Sequence, residues 1–389
     1  MGTKSVLAVC SSNTDGMKDL EDKAAGEKAP GVRRITTLRR RCFAGVKAVV
    51  KLSFPWPSHK EKNVIVPVFL PFAGCPARCI YCAQNLQTAQ GALPLDRILA
   101  GAEDMLFKRK KTGRGACELA FYGGTFTAQR EEAFAKCLEA AKRWLAQGLI
   151  DRWRCSTRPD VLDSDRLCRM QDAGCTCIEL GIQSFADDVL QVSGRGYEAR
   201  TAEEGMQRVL DAGFALGVQL LPGLPLSTAE GFVSDVARSL QLGCSLLRFY
   251  PCLVVRSTKL AEMYERGEYV PWSVAQSVDA LAQGLLLANE ARVPVTRIGV
   301  AYEQDFEQCV LAGPRDPDLG TKVRSTALLL ALQRMVPKKA EGLKVLLPAR
   351  SQGYAFGQKG DGRRKLAELG IGPGNLFWHD EEKVAVEYE

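Results

Sequence analysis

Residues 64–85 read VIVPVFLPFAGCPARCIYCAQN. An apolar, β-branched run (64–72) leads straight into a loop that sets Cys75, Cys79 and Cys82 in a C-x3-C-x2-C array, with Tyr81 just before the last thiol. Such a run reads as a strand, so the three thiols fall at its C-terminal end. The chain beyond repeats this unit. LDRILAGAEDMLFKRK (95–110) has apolar residues at helical spacing. CELAFYGG (117–124) is a strand ending in paired glycines, and REEAFAKCLEAAKRWLAQG (130–148) a helix closed by Gly148.

The alternation continues to about residue 254. Strands are expected in WRCSTRPD (153–160), CIELGIQS (177–184), ALGVQLLPGLP (215–225) and SLLRFYPCLV (245–254), with helical patterns between them. Six strands separated by helices argue for parallel βα units. Near-continuous apolar strands fit a sheet covered on both faces, as a barrel or as a doubly wound sheet. Strand ends favour the barrel: the cysteine loop, GGTFT, STRPD, GIQS and GLP each follow a strand, and barrel enzymes gather their chemistry at that rim. The expected fold is α/β, a partial TIM-type (β/α)6 barrel with a C-terminal extension. The expected divisions are a loosely packed segment over 1–32, the barrel core over 33–272, and an extension over 273–389 with a long helix, the strand VTRIGV (295–300) and a basic tail.

The 389 residues suffice for a full core. No apolar run approaches the length of a membrane span, and the N-terminus has too short an apolar stretch for a secretory signal. A cytoplasmic location is expected, with most of the fourteen cysteines reduced. Cys117, Cys155, Cys177 and Cys252 lie in strand-like stretches and read as small buried hydrophobes. The net charge of +7 is unevenly spread: RRITTLRRR (33–41) holds five arginines and no acid, and 338–365 holds eight Lys/Arg against Glu341 and Asp361. These are solvated surface or a footprint for a polyanion such as RNA.

Three thiols suit a structural zinc ion poorly, because such sites are nearly always closed by four ligands. The only histidines, His59 and His379, lie far off in sequence, although a distant cysteine such as Cys42 could complete a zinc site. A [4Fe–4S] cluster held by three thiolates keeps one iron open to a substrate or cofactor.

The array, with an aromatic before its third cysteine, resembles the signature of radical S-adenosylmethionine (SAM) enzymes. The resemblance implies that SAM chelates the open iron of a [4Fe–4S] cluster on Cys75, Cys79 and Cys82. It is then cleaved reductively to a 5′-deoxyadenosyl radical that abstracts hydrogen from substrate. GGTFT resembles the family's glycine-rich motif, which implies that Gly123, Gly124 and Thr125 meet the methionine end of the cofactor. STRPD places Ser156 near the cofactor's carboxylate or ribose by the same resemblance. Gln183 and Arg195, twelve residues apart in ELGIQSF and SGRGY, resemble the cofactor-gripping pair of the branch that contains anaerobic coproporphyrinogen dehydrogenase. Tyr81 is expected beside the adenine or as a core aromatic.

STRPD, IELGIQS, GLPLST, RFYPCLVVRSTKLAEMYERGEY and RIGV further resemble the radical domain of the Elongator catalytic subunit and, more closely, its short bacterial relatives. That branch implies tRNA as partner and a flavodoxin or ferredoxin as electron donor. The region past the radical core is too short for the acetyltransferase domain of the larger relatives, so acetyl transfer is not expected here. Two departures stand out: RGY (195–197) where relatives carry RGH, and AGPRDP (312–317) where they carry AGPYHP. Both remove a candidate proton-transfer histidine. Three functions compete: RNA modification, with Tyr354 and Phe356 of SQGYAFGQKGDGRRK (351–365) available to stack on bases; radical oxidation of a small molecule; and a non-catalytic iron–sulfur or zinc protein.

Overall fold

The structure is a computed structural model that describes residues 49–57, 64–70, 73–76, 78–84, 93–300, 304–357 and 360–389. The 1–32 segment, the arginine run 33–41, Cys42 and His59 lie outside the described residues.

Seven parallel strands form the main sheet: β2 (Ile65–Phe69), β3 (Cys117–Tyr122), β4 (Ile150–Thr157), β5 (Cys175–Gln183), β6 (Ala215–Leu220), β7 (Leu246–Phe249) and β9 (Val295–Ile298). They are paired in that order. Helices lie between them in sequence, several fixed at their starts by side-chain caps. Asp163, Thr228, Thr258 and Ser273 each accept a backbone N–H of their own first turn, and Ser273 forms a capping box with Gln276.

The sheet is curled. In a flat sheet β3 and β7, four strands apart, would stand about 19 Å from each other. Yet Arg248 on β7 donates to the Tyr122 hydroxyl on β3, so the strands wrap around a shared interior. The outer face carries the apolar core. Ile178, Leu180 and Ile182 of β5 are fully buried, and Trp153 meets Phe121 edge-on and Phe126 at a tilt, with ring centroids 5.6 Å away in each case.

This is the expected partial barrel with one strand more. β9 pairs with β7, Arg248 facing Arg297 in register, so VTRIGV extends the barrel sheet. A second sheet has the order β1-β13-β11-β12, with β1 (Val50–Pro55), β11 (Lys344–Pro348), β12 (Leu376–His379) and β13 (Lys383–Tyr388). Here β1 runs antiparallel to β13, from Val50 opposite Tyr388 to Pro55 opposite Lys383. A short antiparallel pair joins β8 (Val254–Val255) to β10 (Val310–Ala312).

Candidate functional site

The cysteine loop leaves the C-terminal end of β2 and locks against the turn that leaves β3. Gly124 has φ +60°, and a Cβ there would lie 2.2 Å from the Ala73 carbonyl oxygen. Gly74 has φ +74°, and its Cβ would lie 2.3 Å from the Thr125 carbonyl oxygen. Both backbones therefore approach as only glycine allows. Thr125 N–H donates to the Ala73 carbonyl at 2.6 Å, and Gly124 N–H donates to Gln84 Oε1 at 2.8 Å. Cys75 Sγ comes within 3.3 Å of the Thr125 hydroxyl.

The thiols are neighbours. Burial pushes the Cys82 thiol up to about 12, with Cys79 and Cys75 adding to the effect. Among the described residues no three Cys, His, Asp or Glu side chains converge on a single metal position. A lone ion needs such convergence, whereas the thiolates of a [4Fe–4S] cluster each take a different iron and stay apart. Three thiols brought close enough to influence one another are the soft donors that a [4Fe–4S] cluster takes.

Behind Cys79 sit two buried arginines. Arg195 Nη1 donates to Cys79 Sγ at 3.2 Å and to the Tyr81 hydroxyl at 3.4 Å. Arg158 Nη1 lies 4.0 Å from the same sulfur, while its Nε and Nη2 grip the Asp160 carboxylate at 2.9 and 2.8 Å. Gln183 has φ +74° at an irregularity in the β5–β6 pairing. Its Nε2 lies 2.7 Å, and Arg195 Nη2 3.7 Å, from where a Gly181 Cβ would be. The expected pair thus meets over Gly181. Tyr81 packs with the apolar cluster of Val189, Leu224, Val254 and Leu260, and burial pushes its phenol well up.

Ser156 lies at the C-terminal end of β4. Its hydroxyl accepts from Gln219 Nε2 at 3.0 Å, and it belongs to a polar network on the inner face of the barrel. Glu179 is the hub. Its Oε1 accepts from the Tyr122 hydroxyl at 3.0 Å and Arg154 Nη1 at 3.1 Å, and its Oε2 from Gln219 Nε2 at 2.9 Å, with Arg248 Nε 3.1 Å away. Arg154 Nε also donates to Glu118 at 2.6 Å. The sequence reading missed this network because the strands looked uniformly apolar. The usable signal was parity: Glu118 and Tyr122, Arg154 and Ser156, Glu179, Gln219 and Arg248 all occupy one face of their strands.

Elsewhere, Lys338, Lys339, Arg363, Arg364 and Lys365 are exposed. The aromatics of that segment are engaged. Phe356 meets Trp378 edge-on at 5.6 Å with Arg363 over its ring at 4.4 Å, and Arg324 lies 6.0 Å from the Tyr354 ring. The departure Pro314–Pro317 lines a cleft together with Leu253, Ile298 and Phe306. Phe306 in turn packs in one cluster with Ala83 of the cysteine loop. Cys117, Cys155, Cys177 and Cys252 are buried, as expected of small hydrophobes. No helix among the described residues is long and apolar enough to cross a membrane.

A family model described as the Radical SAM superfamily matches residues 69–236, and one described as the Radical_SAM C-terminal domain matches 244–327. The tRNA uridine(34) acetyltransferase of Methanocaldococcus infernus is 26% identical over 257 residues, covering 56% of this chain and 48% of that protein. The heme chaperone HemW of Bacillus subtilis is 26% identical over 204 residues, covering 51% of this chain and 53% of that protein. The chain thus spans about half the length of these relatives. In fold it is similar to the structure of the archaeal Methanocaldococcus infernus Elp3 with an N-terminal deletion. The TM-score is 0.52 at 20% identity, over 69% of this chain and 63% of that one. The two family matches extend from the cysteine loop past the seventh barrel strand, and on them the chain belongs to the radical SAM superfamily, enzymes that use a [4Fe–4S] cluster and SAM.

Proposed function

We propose that the chain is a radical SAM enzyme that modifies RNA, with tRNA as its substrate class, and that Cys75, Cys79 and Cys82 hold its [4Fe–4S] cluster. The observation that carries the cluster assignment is the interlocked rim: the loop that bears the three thiols is held against Gly124 and Thr125 at Ala73–Cys75 on one side and at Gln84 on the other. When bound there, the cluster and SAM supply a 5′-deoxyadenosyl radical.

The chain's own residues do the rest. Gly123, Gly124 and Thr125 form the turn against which the cysteine loop locks and would meet the methionine end of SAM. Gln183 offers an amide donor beside it, Arg195 backs the Cys79 sulfur through Nη1, and Tyr81 forms an apolar wall. Ser156 faces the interior with Gln219. Tyr122, Arg154, Glu179 and Arg248 fill the inner face with mutually satisfied groups, which supports a fixed and water-poor cavity.

Support for tRNA is the similarity to the tRNA uridine(34) acetyltransferase of Methanocaldococcus infernus and the exposed cations of 338–365. Phe356 and Tyr354 are already occupied within the chain, so these cations would act through phosphate contacts rather than base stacking. The reading implies a cytoplasmic enzyme reduced by a flavodoxin or ferredoxin.

Two experiments test it. Anaerobic reconstitution should give one cluster per chain and 5′-deoxyadenosine from SAM and a reductant. Tetrahedral zinc, or a cluster ligated by protein at every iron, would end the cluster assignment. Mass spectrometry of tRNA nucleosides from cells with and without the gene should show a missing modification. Unchanged nucleosides with a small metabolite accumulating would instead favour oxidation of a small molecule.

A further inference from the structure

Tyr197 follows Arg195 by two residues, and nothing above gives it a task. Its surroundings do. Two guanidiniums stand against the ring, with Arg158 Cζ 5.2 Å and Arg195 Cζ 5.0 Å from its centroid. Its hydroxyl accepts from Arg195 Nε at 3.1 Å and Nη2 at 2.8 Å, and has the Gly181 and Ile182 carbonyls at 3.1 and 3.2 Å to donate to.

These contacts use up two of the three nitrogens of Arg195. Nε and Nη2 serve Tyr197, and Nη2 also donates to the Gly181 carbonyl. Only Nη1 remains, and it donates to Cys79 Sγ at 3.2 Å and, at the longer distance of 3.4 Å, to the Tyr81 hydroxyl. Arg158 is fixed in parallel: Nε and Nη2 hold Asp160, Nη2 also donates to the Arg195 carbonyl, and Nη1 faces the same sulfur. Both arginines are buried, at 5% and 6% exposure. Asp160 is the one carboxylate in these contacts, so the pair carries an excess positive charge in a site with little water. Buried charge needs a counter-charge, and the geometry presents Cys79 as the place for it. Burial also pushes the Tyr197 phenol up, so the residue is suited to hold Arg195 and not to shuttle protons at neutral pH.

We infer that Tyr197 is a positioning residue that, with Arg158, clamps Arg195 onto the Cys79 sulfur and thereby raises the reduction potential of the cluster ligated there. The inference rests on the proposed cluster assignment. A hydrogen bond and a positive charge at a ligand sulfur favour the more negative reduced cluster over the oxidised one.

The test is an EPR-monitored redox titration of the reconstituted full chain without SAM, which removes any effect on cofactor binding. Tyr197→Phe keeps the ring but frees Arg195. It should lower the equilibrium constant for reduction about tenfold, the low end for an outer-shell partner, or about 59 mV for one electron. Arg195→Gln should lower it by as much or more, and Tyr197→Phe should add nothing in that background. Arg158→Gln provides a second approach to the same sulfur should Tyr197→Phe fail to fold, and it should also lower the potential. Wild-type potentials in both Tyr197→Phe and Arg158→Gln would overturn the inference. So would a Tyr197→Phe shift that persists without Arg195. If the wild-type chain assembles no [4Fe–4S] cluster at all, the cluster assignment fails instead.

Discussion

Removing the Glu179 carboxylate should damage the barrel more than any surface change. Glu179 is fully buried and receives Tyr122, Arg154 and Gln219, with Arg248 ion-paired to it at 3.1 Å. Glu179→Ala strips the shared counter-charge from two buried arginines, and a buried pair broken on one side costs about 3–5 kcal/mol. Glu179→Gln keeps the shape and one acceptor, so it should cost about 1–3 kcal/mol, the range for an imperfectly satisfied buried group. The network belongs to the folded chain whether or not cofactors are present. Urea unfolding of the metal-free protein, followed by circular dichroism, therefore reads it directly. The expected order is wild type, then Gln, then Ala, with the Ala variant melting several degrees lower, since about 1 kcal/mol moves a domain of this class by roughly 2–4 °C. If both variants stay within about 0.5 kcal/mol of wild type, the scatter of surface substitutions, the interior is wet and the argument for a closed polar floor is wrong.

Other outcomes follow from the same contacts. Gly124→Ala forces a Cβ against the Ala73 backbone at positive φ and should cost about 2 kcal/mol or more, with most bound iron lost. Gly113→Ala, at φ +68° with nothing within 4 Å, carries only the backbone strain of about 1–2 kcal/mol and should keep its iron; equal iron in the two variants would refute the interlock. Burial pushes the Asp235 carboxyl from 3.8 up to about 6, even though it accepts from Phe185 N–H and the Ser184 hydroxyl. The folded chain thus binds this proton more tightly than the unfolded chain, and the stability it contributes is full below pH 3.8 and lost as pH rises through about 6. Between pH 4 and 7, wild type should lose up to about 3 kcal/mol relative to Asp235→Asn, at about 1.36 kcal/mol per unit; a constant gap in urea midpoints would contradict this. Reversing the charges of Arg363, Arg364 and Lys365 should flatten the salt dependence of tRNA binding by roughly one slope unit per lost contact, and salt-insensitive binding by the wild type would remove the phosphate role.

Features set by local spacing were legible in the sequence. Three thiols in one loop, a Gly-Gly at a strand end, and a Gln and Arg flanking a short helix leave their mark within a few residues, and the structure gathers them at one rim. What was not legible depends on distant partners. Arg154 reads as a stray charge in an apolar strand until Glu118 and Glu179 are seen on the strands either side of it. VTRIGV gave a strand signal but no sign of its neighbour, and it is the register with β7 that adds it to the barrel. Phe356 looked available for stacking because its edge partner, Trp378, comes from a separate strand. Gln183 adopts a positive φ that no residue pattern announces.

The pairing of β1 with β13 also orders events in time. Lys383 leaves the ribosome more than three hundred residues after Pro55, its partner in the ladder, and at about 5–20 residues per second that is a wait of roughly 15–65 seconds. Among the described strands β1 has β13 as its sole neighbour, so during synthesis it waits for that pairing while the entire barrel is made. The strand near the start of the chain is thus among the last to be knitted in, and closing that sheet is a late, long-range step of folding.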